Sequence, residues 1–181
     1  MKERVPPLPP HERDERQAEL VRYAGSEHGI FTTLVRHPDL FADWMVLARR
    51  LLRLSSLEPR DRETLILRTA YRCKARYEWS HHDVIGRRTG LTDADLAVLS
   101  TDVVGPDVDP ATALLLRAAD ELIDDHVLSD ETWSALSQAY GQNQVIEMCM
   151  LVGSYAMLAG ALNSLGVQIE DGYPAAAWDP T

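Results

Sequence analysis

Glu63, Glu78 and His82 are the residues of this sequence whose types and spacing best suit chemistry. Glu78 and His82 stand four apart, so on a helix their side chains can meet. A carboxylate bonded to an imidazole orients the ring and raises its proton affinity, which suits a general acid or base near neutrality. Around residue 63, helical steps of about 100° place Glu63 on one face with Ile66, Leu67, Ala70 and Tyr71. The same steps turn Arg62, Arg68, Thr69 and Arg72 away from that face. A carboxylate inside an apolar stripe must be desolvated or paired, and desolvation raises its pKa. Alone, Glu63 reads as one half of a buried ion pair with an arginine, and Glu78 with His82 as a helix-start glutamate beside a satisfied core histidine. Three such groups on inward faces of consecutive helices favour a site.

The helix around Tyr77 has two informative faces. Tyr77, His81, Val84 and Arg88 share one; Glu78, His82, Ile85 and Thr89 share the other, with Gly86 leaving room beside it for a partner or ligand. Ser80, Asp83 and Arg87 make the solvent side. Tyr77, His81 and Trp79 are the candidates for binding a substrate, although aromatic residues at helical spacing commonly fill a core. Glu78-Trp79-Ser80-His81 has the Glu-x-x-His spacing of di-iron bundles, but such sites need two copies and only one is present, so no metal is expected.

The elements that must hold these residues are helical throughout. Pro6-Pro7-Leu8-Pro9-Pro10 predicts an extended arm over residues 1–10 that dangles or lies against a neighbouring subunit. A charged helix follows over 11–23, closed at Gly25. His37-Pro38 starts the next, with Leu40, Trp44, Leu47, Leu51 and Leu54 as its apolar stripe, widened by Phe41, Ala48 and Leu52. Further helices are expected over 59–72, 77–89, from the Thr92 cap to Ser100, 111–125, 130–140 and 143–165. The last is apolar on nearly every side, yet it contains Glu147, Ser154 and Asn163 and lacks flanking Lys or Arg; a buried or subunit-contact helix fits it better than a membrane span. No strand alternation or repeat is present. The expected fold is all-α, one domain over residues 11–181 preceded by the arm.

Composition narrows the function classes. Lys+Arg count 18 against Asp+Glu 28, a net charge of −10. With no basic stripe, nucleic-acid and anionic-membrane binding are disfavoured. Cys73 and Cys149 form neither a disulfide framework nor a Cys-x-x-Cys pair, and the N-terminus has no apolar leader, so a cytoplasmic protein is expected.

At Glu63 and the run Tyr77-Glu78-Trp79-x-x-His82 the sequence resembles the carboxymuconolactone decarboxylase family, which includes the AhpD-type alkylhydroperoxidases. Peroxidase members carry a glutamate, a Cys-x-x-Cys pair twelve residues on, and a histidine four residues after the second cysteine. Glu63 and His82 match the glutamate and the histidine; Ala75 and Glu78 stand where the cysteines would be. The run is similar to a cysteine-free branch. The resemblance is strongest over residues 37–100, and Leu151 to Asn163 is similar to the closing helix of the group.

It implies an AhpD-like helical bundle, assembly into a homo-oligomer (dimer, trimer or hexamer), and a small cavity where Glu63, Glu78 and His82 converge. A dithiol cycle does not carry over, because it needs an attacking and a resolving thiol. The expectation is cofactor-free acid–base catalysis, a decarboxylation or proton shift, on a small organic acid, lactone or keto compound. In it His82 moves the proton, Glu78 orients the ring and Glu63 relays. The alternatives are a residual peroxidase activity, for which Cys73 would be the thiol, and a non-catalytic oligomeric binding protein.

Overall fold

The computed structural model describes residues 2–103 and 105–178, which form nine α-helices and no strand. Contacts group the chain into two compact units: residues up to Ser55 with Ala161–Gly172, and Ser56–Gly160 with the residues from Tyr173 onward.

The first unit holds α1 (Glu15–Ala24), α2 (Gly29–Leu34) and α3 (Pro38–Arg53). Asp14 and Gln17 form a capping box that starts α1, and Gly25, at φ 85°, ends it. The six-residue α2 has no counterpart among the sequence expectations; it is too short to show a period. The apolar face of α3 is rotated from its expected position. Phe41, Met45 and Leu51 are buried, whereas Leu40 and Leu54 are 61% and 55% exposed. The stripe was wide enough to allow either edge, and packing against Val21, Ala24 and Val35 selects the Phe41 edge.

The proline arm neither dangles nor needs a neighbouring subunit. Leu8 is buried and its amide donates to the Thr32 carbonyl; Arg13 donates twice to the Leu8 carbonyl, and Arg36 donates to that of Pro6. The amides of Arg4 and Val5 both donate to Leu165 O. Gly166 makes this approach possible: a Cβ there would lie 2.2 Å from the Lys2 carbonyl oxygen.

The second unit contains α4 (Pro59–Arg72), α5 (Arg76–Arg88), α6 (Asp93–Leu99), α7 (Pro110–Asp124), α8 (Asp130–Ala139) and most of α9 (Gln142–Leu165). These bounds lie within a residue or two of the expected ones, because proline starts and Thr92, Asp109 and Ser129 caps mark them. α4 is the central helix, packed against α5, α6 and α7, and every residue from Glu63 to Tyr71 is buried.

Arg68 and Thr69 therefore do not face solvent. The Arg68 guanidinium makes two bonds to Asp120, at 2.7 and 2.6 Å, and donates to the carbonyls of Leu99 and Thr101. Burial of an arginine requires such complete pairing. Ser80 and Asp83 on α5 are likewise buried, with Asp83 paired to Arg87. Gly86 is not an open berth either: a Cβ would meet Leu91 Cδ1 at 2.8 Å, so the space is filled by Leu91 folding back over α5.

Among the described residues, α9 is the one helix long and apolar enough to cross a membrane. It buries Val145, Met148, Leu151, Val152, Tyr155, Leu158 and Ala159. Ile146, Met150 and Met157 are more than half exposed along the opposite side, beside Gly153 and Gly160.

Candidate active site

The first turns of α4 carry alternating charges, and each finds its own partner. Arg60 pairs with Asp95 at 2.7 Å, Asp61 accepts from Tyr140 Oη at 3.0 Å, and Arg62 Nε donates to Glu63 Oε1 at 3.1 Å. Glu63 is wholly buried, and its second oxygen, Oε2, lies 2.6 Å from His82 Nδ1. The other ring nitrogen, Nε2, lies 2.9 Å from Tyr155 Oη on α9, with the two rings edge to face. Arg62, Glu63, His82 and Tyr155 thus form one continuous chain of hydrogen bonds across three helices.

The network assigns the protons. An ionised Glu63 only accepts, so His82 Nδ1 carries the hydrogen; Nε2 shares a hydrogen bond with the Tyr155 hydroxyl. Burial alone would raise the Glu63 carboxyl, but the charge and hydrogen bond of His82, aided by Arg62, outweigh it and hold the group below the ordinary carboxylate range. Burial, reinforced by the charge of Glu63, pushes the Tyr155 phenol well above its usual value. Tyr155 is therefore a neutral hydroxyl that releases its proton only as it receives another.

Glu78 does not perform the role its spacing gave it. Neither carboxylate oxygen has a hydrogen-bond partner, and the ring it was expected to orient is held by Glu63. With 2% exposure, desolvation raises its carboxyl well above the ordinary range and keeps it protonated. A neutral acid is a poor competitor for an imidazole N–H that can reach an ionised carboxylate. Both Glu78 oxygens are left buried without a partner, and the hydroxyls of Thr64 and Ser80 on the same two helices also lack partners.

The expected substrate binders divide. Tyr77 stacks on His81 with centroids 4.4 Å apart, and His81 stacks on Tyr173 at 3.9 Å, forming a three-ring pile beside the hydrogen-bonded chain. Trp79 is 1% exposed and packs edge-on against Trp178 in the cluster around Leu67, Ala70 and Ala75. It fills the core, which corrects its assignment to substrate binding. Ala75 is buried in the same cluster, and burial raises the Cys73 thiol. Tyr155 and Arg62 were missed. Tyr155 lay within a run of apolar residues, and Arg62 was placed on the far side of its helix. No group of three or more His, Cys, Asp or Glu among the described residues is arranged to hold a metal ion. A groove of about 640 Å³ on the same unit is lined by Arg60, Asp95, Thr101, Asp109, Thr112 and neighbours, and includes none of the His82 cluster.

No protein-family model and no curated protein matches the sequence. Solved structures do match in three dimensions. One is the AhpD core of an uncharacterized peroxidase-related protein from Ralstonia eutropha JMP134, with TM-score 0.73 and 20% identity over 91% of this chain and 87% of that one. Another is the debrominase Bmp8, crystallised as a cysteine-to-alanine variant with 2,3,4-tribromopyrrole, with TM-score 0.74 and 18% identity over 94% of each chain. A third is an uncharacterized peroxidase-related protein from Silicibacter sp. TM1040, with TM-score 0.73 and 15% identity over 96% of each chain. At these identities the likeness establishes architecture: the chain has the all-helical AhpD-like fold.

Proposed function

We propose that this protein is a thiol-independent proton-transfer enzyme acting on a small carbonyl compound, an organic acid, lactone or keto compound. The observation that carries the reading is the Glu63–His82–Tyr155 chain together with a buried, unpartnered Glu78 whose carboxyl burial raises. Tyr155 oxygen takes a proton from the carbon next to the substrate carbonyl while its own proton passes to His82 Nε2. The resulting imidazolium is stabilised by ionised Glu63. The electron pair left on carbon moves onto the carbonyl oxygen, and the Glu78 O–H donates to that developing oxyanion. Reversal of the relay at the same carbon returns the substrate; at a second carbon it completes a proton shift.

A β-keto acid or activated lactone acid would use the same groups differently. Loss of carbon dioxide generates the enolate, Glu78 stabilises it, and a proton taken up from solvent by His82 Nε2 passes through the Tyr155 hydroxyl to carbon. General acid–base groups contribute about 10²–10⁴-fold and a single oxyanion donor about 10²–10³-fold, so the set suffices for a moderately activated carbon acid. A protein of the same fold was crystallised with a small cyclic molecule, which supports a ligand of that size.

The exposed side of α9, Ile146, Met150 and Met157 with Gly153 and Gly160, supports assembly with further copies of the chain as a dimer, trimer or hexamer.

The test is deuterium incorporation from heavy water into pyruvate, acetone and simple lactones, followed by proton NMR. The wild type is expected to exchange the hydrogens beside at least one carbonyl above the buffer rate, and His82→Gln to lose that exchange. Exchange unchanged in His82→Gln would overturn the reading.

A further inference from the structure

Glu63, Glu78, His82 and Tyr155 each have a complete task in proton transfer; Arg62 has half of one. Its Nε donates to Glu63, and that is its one side-chain hydrogen bond among the described residues. The two terminal nitrogens carry four further N–H donors without a protein acceptor. The neighbouring carboxylate, Asp61, accepts from Tyr140 and makes no bond to Arg62.

Arg62 is also the part of the cluster nearest solvent. Its side chain is 13% exposed, against 1% for Glu63 and 9% for His82. The charge of the cation acts on the Tyr155 phenol against that of Glu63. Glu63 divides its charge between Arg62 and the His82 ring, and Glu78 is neutral, so no other carboxylate of the cluster contends for the free fork.

We propose that the open guanidinium fork of Arg62 is the receptor for a carboxylate on the substrate, which makes the preferred substrate a keto acid rather than a neutral carbonyl compound. A planar fork with parallel N–H donors matches a carboxylate in bidentate fashion, and lysine cannot reproduce that match. This subsite rests on the proton-transfer reading, because it names the substrate class of the same site.

The experiment compares binding of pyruvate and of acetone, its uncharged counterpart, to the intact protein by calorimetry and saturation-transfer NMR. Pyruvate is expected to bind at least about tenfold more tightly than acetone, with an advantage that shrinks as salt is raised. Arg62→Gln is expected to bring pyruvate down to the level of acetone, and Arg62→Lys to retain part of the preference. Equal binding of the two compounds by wild type overturns the proposal without reference to any variant; so does unchanged pyruvate affinity in a folded Arg62→Gln protein. His82→Gln separates the two readings. Pyruvate held through Arg62 by a wild type that shows no deuterium exchange leaves the subsite standing and removes the enzyme. Exchange that requires His82 but shows no preference for pyruvate does the reverse.

Discussion

Replacing Glu78 with glutamine is expected to stabilise the protein by an amount that grows with pH. In the unfolded chain this carboxyl titrates near 4.5; in the folded protein, burial raises it well above that value. Between the two values the folded state keeps a proton that the unfolded state has released, so stability falls as pH rises. The slope for one such group is about 1.4 kcal/mol per pH unit. Its contribution is fully present below 4.5 and lost as pH rises through the folded value. Glutamine cannot ionise and lacks this slope.

The difference between the two proteins cancels every other titration, including that of Glu63, whose sign is opposite. For a domain of this size about 1 kcal/mol corresponds to a Tm change of about 2–4 °C, so the gap should open by about 3–5 °C per pH unit. Thermal and urea denaturation of both proteins from about pH 5 to about pH 8 would measure it. Two parallel stability curves over that range would refute a buried, protonated Glu78.

Glu63→Gln leaves the partly buried Arg62 without its counter-charge and is expected to cost about 3–5 kcal/mol near neutrality by urea denaturation. Because the folded Glu63 carboxyl titrates below the ordinary 4.5, the cost is present above that pH and disappears as pH falls through the folded value. Tyr155→Phe removes one buried hydroxyl bond and is expected to cost only about 1 kcal/mol in stability, while deuterium exchange drops by about 100-fold or more. Met157→Glu places a charge on the exposed side of α9 and is expected to convert an oligomer to monomers in light scattering; an unchanged mass would exclude that face as the contact.

The sequence was most informative where structure is written locally. Pro38 and Pro59, with the caps at Thr92 and Ser129, marked helix starts to within a residue or two. Glu63 and His82 were correctly read as inward-facing, and they do meet. The identity of each partner depended on tertiary packing and was not legible. Helical spacing joined Glu78 to His82, whereas the ring reaches across to Glu63 because an ionised carboxylate outbids a neutral one. Arg68 has the composition of a surface residue, and only the presence of Asp120 on α7 with two loop carbonyls allows its burial. Tyr155 reads as one more apolar position in α9 until His82 is placed beneath it. A helical wheel ranks faces of one helix; it carries no information on which side chain the facing helix presents.

The central claim, proton transfer without a thiol, is tested most directly by measuring deuterium exchange in a protein with Cys73→Ala and Cys149→Ala together, alongside His82→Gln. Both thiols lie outside the hydrogen-bonded chain, and burial raises both above the usual thiol range. The expected result is full exchange in the cysteine-free protein and none in His82→Gln. Loss of exchange on removing the two cysteines, with His82 intact and the protein folded, would contradict the account.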